Sequence, residues 1–358
     1  MKMMNKAANQ YYLYLHQGQK PVPWYPPDPY PLDWVDYTYF GNVFKAMEEK
    51  LEVGGLIFYF TWNSLKELPS YGKNVVVIVA GDEWCRIPTY CDKVLAVFKC
   101  YGTKPILGCN PFLHPSYLNI LALIQFLRIG FYRLPGLLSH ALLQLKYLQR
   151  KSSEICLIYD IPLGYNRQLE LPVKDLEERE YDVSFAGSIE HGTYSVWSLK
   201  HLFDTPKSFS RRKMMSSIKT FDAKHPELKI ELTVTPSFGS SKDVLDKESY
   251  SQRMINTKIC LVPRGTSFET FRFFEAMRYG CIVITEALPT RWFYDGSPAI
   301  QINDWDELEE ILTRLLENKH LMQEKHQESL KWWETRCSEA VVGSYIAKQL
   351  NSLAYISK

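Results

Sequence analysis

Short β-branched runs alternate with helically spaced apolar positions along much of this chain. Val75 to Ala80 is the clearest strand of the first half, a continuous run of the kind buried on both faces of a parallel sheet. Tyr11 to Leu15, Leu56 to Phe60, Val94 to Lys99 and Ile155 to Asp160 read as further strands, with a short helix over Phe44 to Leu51. In the second half, Asp182 to Gly187, Lys229 to Thr235, Lys258 to Val262 and Cys281 to Thr285 read as strands. A helically spaced segment separates the last two, and Gly280 stands where a helix C-terminus wants a left-handed residue. That is a βαβ unit.

Other stretches depart from this alternation. Six prolines lie between Pro21 and Pro31, interleaved with Trp24, Tyr25 and Tyr30 and followed by Trp34, and proline at that density makes a stiff loop. Its aromatics are suited either to stacking on a sugar ring or to covering the edge of a core. Tyr117 to Lys151 combines heavy Leu, Ile and Phe content with Arg128, Arg133, Lys146, Arg150 and Lys151 and has no acidic residue. It reads as a pair of basic amphipathic segments broken at Pro135-Gly136, able to lie on an anionic membrane or to pack as two core helices. Ser208 to Phe221 reads as a basic helix with a solvated face at Arg211 and Arg212. The turn Ile161 to Tyr165, with the charged stretch Lys174 to Glu180, marks a boundary between domains expected at 1–170 and 171–335. A last helix over 336–358, close behind Trp332 and Trp333, is expected to pack back toward the first.

Composition narrows the class. At 358 residues, 46% hydrophobic and 14% aromatic, the chain can fill two cores of ordinary size. A net charge of +2 creates no general field for nucleic acid, which is not expected as a partner. The eight cysteines lack the spacing of a zinc site and read as reduced thiols of a cytosolic protein. The N-terminal MKMMNKAANQ has no apolar signal-peptide core, and no run is expected to approach the roughly 20 apolar residues needed to span a bilayer.

Candidate chemistry gathers at two strand ends. Val75 to Ala80 runs into Gly81-Asp82-Glu83, and carboxylates just past a parallel strand sit in the crevice where open α/β sheets bind ligands. Either Asp82 or Glu83 is placed to act as a base, or to cap the next segment; His114, between two prolines, is an alternative base or a loop residue. Lys258 to Val262 runs into Pro263-Arg264-Gly265-Thr266-Ser267, a small, hydroxyl-rich, cationic loop aimed at a helix N-terminus, where a phosphate fits. On that helix Phe268, Phe271, Arg272 and Glu275 share roughly one face, so Glu275 either pairs with Arg272 or holds a ligand. Thr266-x-x-Glu269 has capping-box spacing, leaving Glu269 a cap or a ligand.

Strand, Pro-Arg-Gly, then Glu-Thr-Phe-Arg-x-x-Glu-Ala-Met-x-x-Gly-Cys-Ile-Val-Ile resembles the nucleotide-sugar-binding half of exostosin-like glycosyltransferases, and more loosely the donor half of GT-B enzymes. The match runs over about residues 180 to 290 and includes Gly187-Ser188, where the backbone approaches the donor. The resemblance implies an α/β, GT-B-like fold of two Rossmann-like domains facing a central cleft. It implies that Glu275 holds the ribose hydroxyls, that Arg264, Arg272, Gly265, Thr266, Ser267 and Thr270 surround the diphosphate, and that no metal is needed. Many retaining GT-B enzymes carry two glutamates seven residues apart; Glu269 and Glu275 do not, which favours inversion. Asp304-Trp305-Asp306 matches the metal-binding DxD of GT-A transferases only superficially. Asp304 precedes Leu308, Ile311, Leu312, Leu315 and Leu316 at helical spacing, so these acids read as cap and first-turn residues.

The expectation is therefore a bacterial-type, nucleotide-sugar-dependent transferase acting on a glycan or lipid-linked glycan, cytoplasmic or peripheral at the inner face of a membrane through 117–151. The alternatives are a retaining GT-B enzyme and an inactive membrane-associated scaffold of the same fold.

Overall fold

The computed structural model describes residues 7–26, 38–150, 157–166, 168–189, 205–235 and 246–356, and two parallel sheets organise them. The first half holds β1 (Gln10–Leu13), β2 (Val22–Pro23), α1 (Thr38–Glu48), β3 (Ile57–Thr61), β4 (Gly72–Val79), β5 (Val94–Lys99), α2 (Tyr117–Arg150) and β6 (Ile158–Asp160). The second holds β7 (Tyr181–Ser188), α3 (Pro206–Lys224), β8 (Ile230–Thr235), α4 (Lys247–Ile255), β9 (Thr257–Val262), α5 (Phe271–Arg278), β10 (Ile282–Thr285) and β11 (Ile300–Gln301). Then follow α6 (Leu308–Glu317), α7 (Lys319–Trp332) and α8 (Glu339–Ile356).

In the first sheet the order is β2-β1-β3-β4-β5-β6, parallel throughout except for the β2 edge. Val75 to Val79 of β4 are almost fully buried, because the sheet is covered on both faces where that β-branched run lies. The second sheet runs β11-β10-β9-β7-β8, all parallel. The chain begins at β7, steps outward to β8, then returns to β9 on the other side. That reversal leaves a switch point between the C-terminal ends of β7 and β9, where open α/β sheets form a ligand crevice. The architecture is the GT-B-like α/β arrangement of two Rossmann-like halves facing a cleft.

Local sequence rules explain several boundaries. α5 stops where Gly280 adopts φ 71°, and a Cβ there would stand 2.7 Å from the His326 ring, whose Nδ1 donates to the Gly280 carbonyl at 2.7 Å. Asp304 and Glu307 form a reciprocal capping box before α6, and Lys213 bridges Asp304 and Asp306 at 2.5 and 2.7 Å.

Behind α7 the chain ties the halves together. Trp332 packs on Phe273 and Phe274 of α5, while Trp333 meets Tyr39 and Tyr165. α8 lies along α1, where the Asn351 amide donates to the Lys50 carbonyl and accepts from the Glu52 N–H.

Two expectations, on α2 and on the cysteines, are corrected, and for Trp24 the choice left open is decided. α2 is one continuous helix, not two segments: it passes Pro135, and Gly136 lets it press against the loop at Ile87, whose carbonyl oxygen would lie 2.8 Å from a Cβ. Trp24 is buried against Phe44 and Phe60 as a core-edge residue, whereas Tyr25 is exposed; Tyr30 and Trp34 lie outside the described residues. Cys91 is disulfide-bonded, while six other cysteines are free thiols, so the thiols are not uniformly reduced.

Candidate active site

The site grows from the two strand ends at the switch point. β7 ends in Gly187 and Ser188, and the loop after β9 carries Arg264 to Ser267. A Cβ on Gly187 would come within 2.2 Å of Arg272 Nη2, so glycine is what admits that guanidinium to the strand end. Arg272 sits over the Phe185 ring at 4.7 Å. Arg211, on the first turns of α3, joins the two strand ends: its Nη1 donates to Ser188 O at 2.5 Å and Ser188 Oγ at 3.3 Å, and its Nε to Arg264 O at 3.2 Å. Lys207 stands one turn earlier on the same helix. Arg264 stacks over Phe268 at 3.8 Å and donates to the Thr266 carbonyl at 3.2 Å.

These cations are buried together, and the burial is visible in their acidities. Burial, reinforced by neighbouring cations, lowers Lys207 to about 8 and Arg211 to about 9. Burial lowers Arg264 to about 10, opposed by the nearby carboxylates Glu286 and Glu83. Nε and Nη1 of both Arg264 and Arg272, and the Thr270 hydroxyl, are buried without a hydrogen-bond partner among the described residues. Buried donors of this kind are costly unless something accepts from them. An anion of several oxygens is the chemistry that would do so.

Across the crevice lies the first half. A narrow cleft is lined by Glu83 and Cys85 on one side and by Arg264, Thr266, Glu269 and Arg291 on the other. Burial raises the Glu83 pKa above the ordinary carboxylate value, while the Thr266 hydroxyl and the charges of Lys207 and Arg211 pull it back. Gly265 is close by, since a Cβ there would lie 3.8 Å from Glu83 Oε1.

Asp82 points elsewhere. Its carboxylate pairs with the fully buried Lys99 at 2.9 Å and accepts the Arg86 N–H at 2.9 Å, so it fixes the turn that presents Glu83. His114 sits in the turn before α2, where its carbonyl accepts from the Asn119 amide at 2.9 Å.

Glu269 does not form the capping box with Thr266, because α5 begins only at Phe271 with Thr270 as its N-cap. It pairs instead with Arg291 at 2.7 Å, and Arg291 also donates to the Tyr101 carbonyl of the first half. Burial raises Glu269 to about 7 against the pull of Arg291. Ser267 accepts the Glu269 N–H at 3.3 Å, which shapes the loop.

Glu275 is not paired with Arg272 and does not line the cleft. Its two oxygens accept from the Asn166 N–H at 2.9 Å and the Tyr250 hydroxyl at 2.7 Å, anchoring the segment between the two sheets to α5. The structure thus brings together Glu83, Gly187, Ser188, Arg264, Gly265, Thr266, Ser267, Glu269, Thr270 and Arg272, and sets Asp82 and Glu275 apart. The loop residues His191 and Gly192 lie outside the described residues.

Sequence reasoning missed Lys207, Arg211, Glu286 and Arg291. Arg211 is a correction, since α3 turns it inward and not to solvent. A signal was present: Lys207, Arg211, Met214, Ile218 and Phe221 share one helical stripe, and the last three are core residues. Glu286 follows β10 at the same sheet end and accepts from Ser210 and, at 3.0 Å, from Trp305 Nε1. Among the described residues no group of three or more His, Cys, Asp or Glu could hold a metal ion.

Residues 177–341 match the family model described as the RXYLT1 C-terminal domain. A stretch of 64 residues is 34% identical to the Exostosin-1 homolog of Caenorhabditis elegans; it covers 18% of this chain and 15% of that protein. The chain therefore aligns with only a small part of that relative's length. Among solved structures, sucrose-phosphate synthase from Thermosynechococcus elongatus is similar at 12% identity and a TM-score of 0.44, with 89% of this chain and 93% of that one covered. T4 phage BGT in complex with its UDP-glucose substrate is similar at 12% identity and a TM-score of 0.37, with coverages of 88% and 94%.

Proposed function

We propose that this chain is a glycosyltransferase that moves a sugar from a nucleotide-diphosphate donor to the hydroxyl of a glycan or lipid-linked glycan, with inversion and without a metal. One observation carries the reading. Arginines converge on the switch point of the second sheet with buried guanidinium nitrogens that no group among the described residues accepts from. A diphosphate supplies the oxygens those nitrogens lack.

The chemistry follows from the groups around it. Glu83 takes the proton of the acceptor hydroxyl as that oxygen bonds to the anomeric carbon. The bond from that carbon to the diphosphate oxygen breaks on the opposite face, and the electron pair leaves with the diphosphate. Arg264, Arg272 and the N-terminus of α5 stabilise the charge that develops there. Arg211 holds the two strand ends at fixed separation, and Thr270 offers a hydroxyl at the cap of α5. Asp82 serves by holding the Glu83 turn.

The disulfide at Cys91 favours an oxidising compartment over the cytosol, where the glutathione pool keeps such bonds open.

The test is a thermal-shift and calorimetric screen against UDP-, GDP-, CMP- and dTDP-linked sugars, with and without EDTA. A ligand that binds only the folded chain raises its melting temperature. We expect a shift with one nucleotide, insensitive to EDTA and lost in Arg272→Ala. No shift with any of the four would overturn the reading.

A further inference from the structure

We propose that α2 is a membrane-docking helix that lies along the surface of an anionic bilayer. The inference goes beyond glycosyl transfer and does not depend on it.

α2 has two faces of different use. Leu118, Leu121, Ala122, Gln125 and Ile129 are buried, and several of them line the cleft. On the outside, Ile124, Leu127, Phe131, Leu134, Leu138 and Leu142 repeat at intervals of three and four, and all are exposed. Phe131 is 70% exposed and Leu127 62%. The stripe extends from Ile120 to Leu145, about 38 Å at 1.5 Å per residue. The turn just before it adds Phe112 and Leu113, at 86% and 73% exposure. So long an apolar strip is far more than soluble surfaces ordinarily carry.

Charge identifies the occupant. The α2 sequence has no acidic residue, and of its described cations Arg128 is exposed beside the stripe while the Nε of Arg133 is buried. Arg128 is held on the flank of the stripe, over the rings of Trp84 at 5.3 Å and Tyr132 at 5.8 Å. A second copy would set cation against cation, because a helical pair of this spacing needs opposite charges beside its seam. Anionic headgroups beside acyl chains match both features at once.

Residues Tyr117–Leu143 are long and apolar enough to cross a bilayer, but only by stripping the inner face from the fold. Gln125 and Ile129 line the cleft, so the helix can lie in the interface while its buried side stays on the protein. Docked in this way, the cleft opens beside the lipid.

The experiment is co-flotation of the full chain with vesicles of phosphatidylcholine alone and of phosphatidylcholine with phosphatidylglycerol. Binding to the anionic vesicles, falling at least tenfold in Leu127→Asp/Phe131→Asp/Leu138→Asp, supports docking. Thermal melting and light scattering of the same proteins run alongside. A wild-type chain that stays unbound on both vesicles overturns it, as does a wild-type dimer that the triple variant converts to monomer without any flotation. If the triple variant fails to fold, hydrogen exchange of the wild type decides. Slowed exchange over residues 117–145 with anionic vesicles supports the proposal, and unchanged exchange overturns it.

Discussion

Glu83, just past the end of β4, stands against Gly265, in the loop after β9, where a Cβ on the glycine would lie 3.8 Å from Glu83 Oε1. A carboxylate of one half thus faces the loop that we propose for the diphosphate. Glu83→Gln keeps the shape but removes the base. We expect transfer to fall by about 10² to 10⁴ with donor affinity retained. Burial raises the Glu83 pKa, so the acid limb of the wild-type rate profile should lie above the ordinary carboxylate range, with activity rising as pH rises through it. Initial rates against pH check both, and a fully active Glu83→Gln would remove Glu83 from the chemistry.

Glu275 should control stability more than donor binding. Burial raises it to about 7 from an ordinary 4.5, against hydrogen bonds from Tyr250 and Asn166 and the charges of Arg272 and Arg278. With the folded pKa above the unfolded one, the folded chain holds the extra proton, so this contribution is complete below pH 4.5 and lost as pH rises through about 7. The whole effect is at most about 3 kcal/mol. Glu275→Gln, which cannot ionise, should melt like wild type near pH 4.5 and higher than wild type at pH 8. Melting curves across that range check it. Calorimetry should give unchanged donor affinity, and a large loss would return Glu275 to the donor site.

Much of this was legible from sequence where the rule is local. The β4 run, the βαβ unit closed by Gly280 and the Asp304 cap depend on neighbours within a few residues, and the fold realises each of them. Glu269 fails the same kind of rule because its capping spacing lies ahead of the helix, and a partner 22 residues later in the chain, Arg291, claims it. The roles of adjacent cations are set by rotation about a helix axis. Arg211 and Arg212 look alike in sequence, yet the packing of Met214, Ile218 and Phe221 turns the first inward and leaves the second exposed. Pro135 misled for the converse reason: a tertiary contact at Gly136 holds α2 together across it.

The Cys91 disulfide should be found by non-reducing peptide mapping, with Cys85, Cys100, Cys260, Cys281 and Cys337 alkylated only after unfolding because all five are buried. Reduction should cost about 2 to 5 kcal/mol, read as a lower melting temperature in dithiothreitol. Full alkylation of Cys91 in protein from an oxidising host would overturn both the bond and the compartment argued from it.

Arg211 should govern donor affinity through geometry and not through charge alone. It donates to carbonyls on both strand ends of the switch point, Ser188 O at 2.5 Å and Arg264 O at 3.2 Å, which one planar fork can do and an ammonium cannot. Arg211→Lys preserves the positive charge but should loosen the Arg264 loop, lowering donor affinity about tenfold, as the loss of one charge-assisted bond does. Arg212→Ala, one residue away on the exposed side of α3, should leave affinity unchanged. Calorimetric titration with the donor identified by screening compares the two. Equal affinities for wild type and Arg211→Lys would mean that the charge alone matters and that the strand ends hold their spacing without the fork.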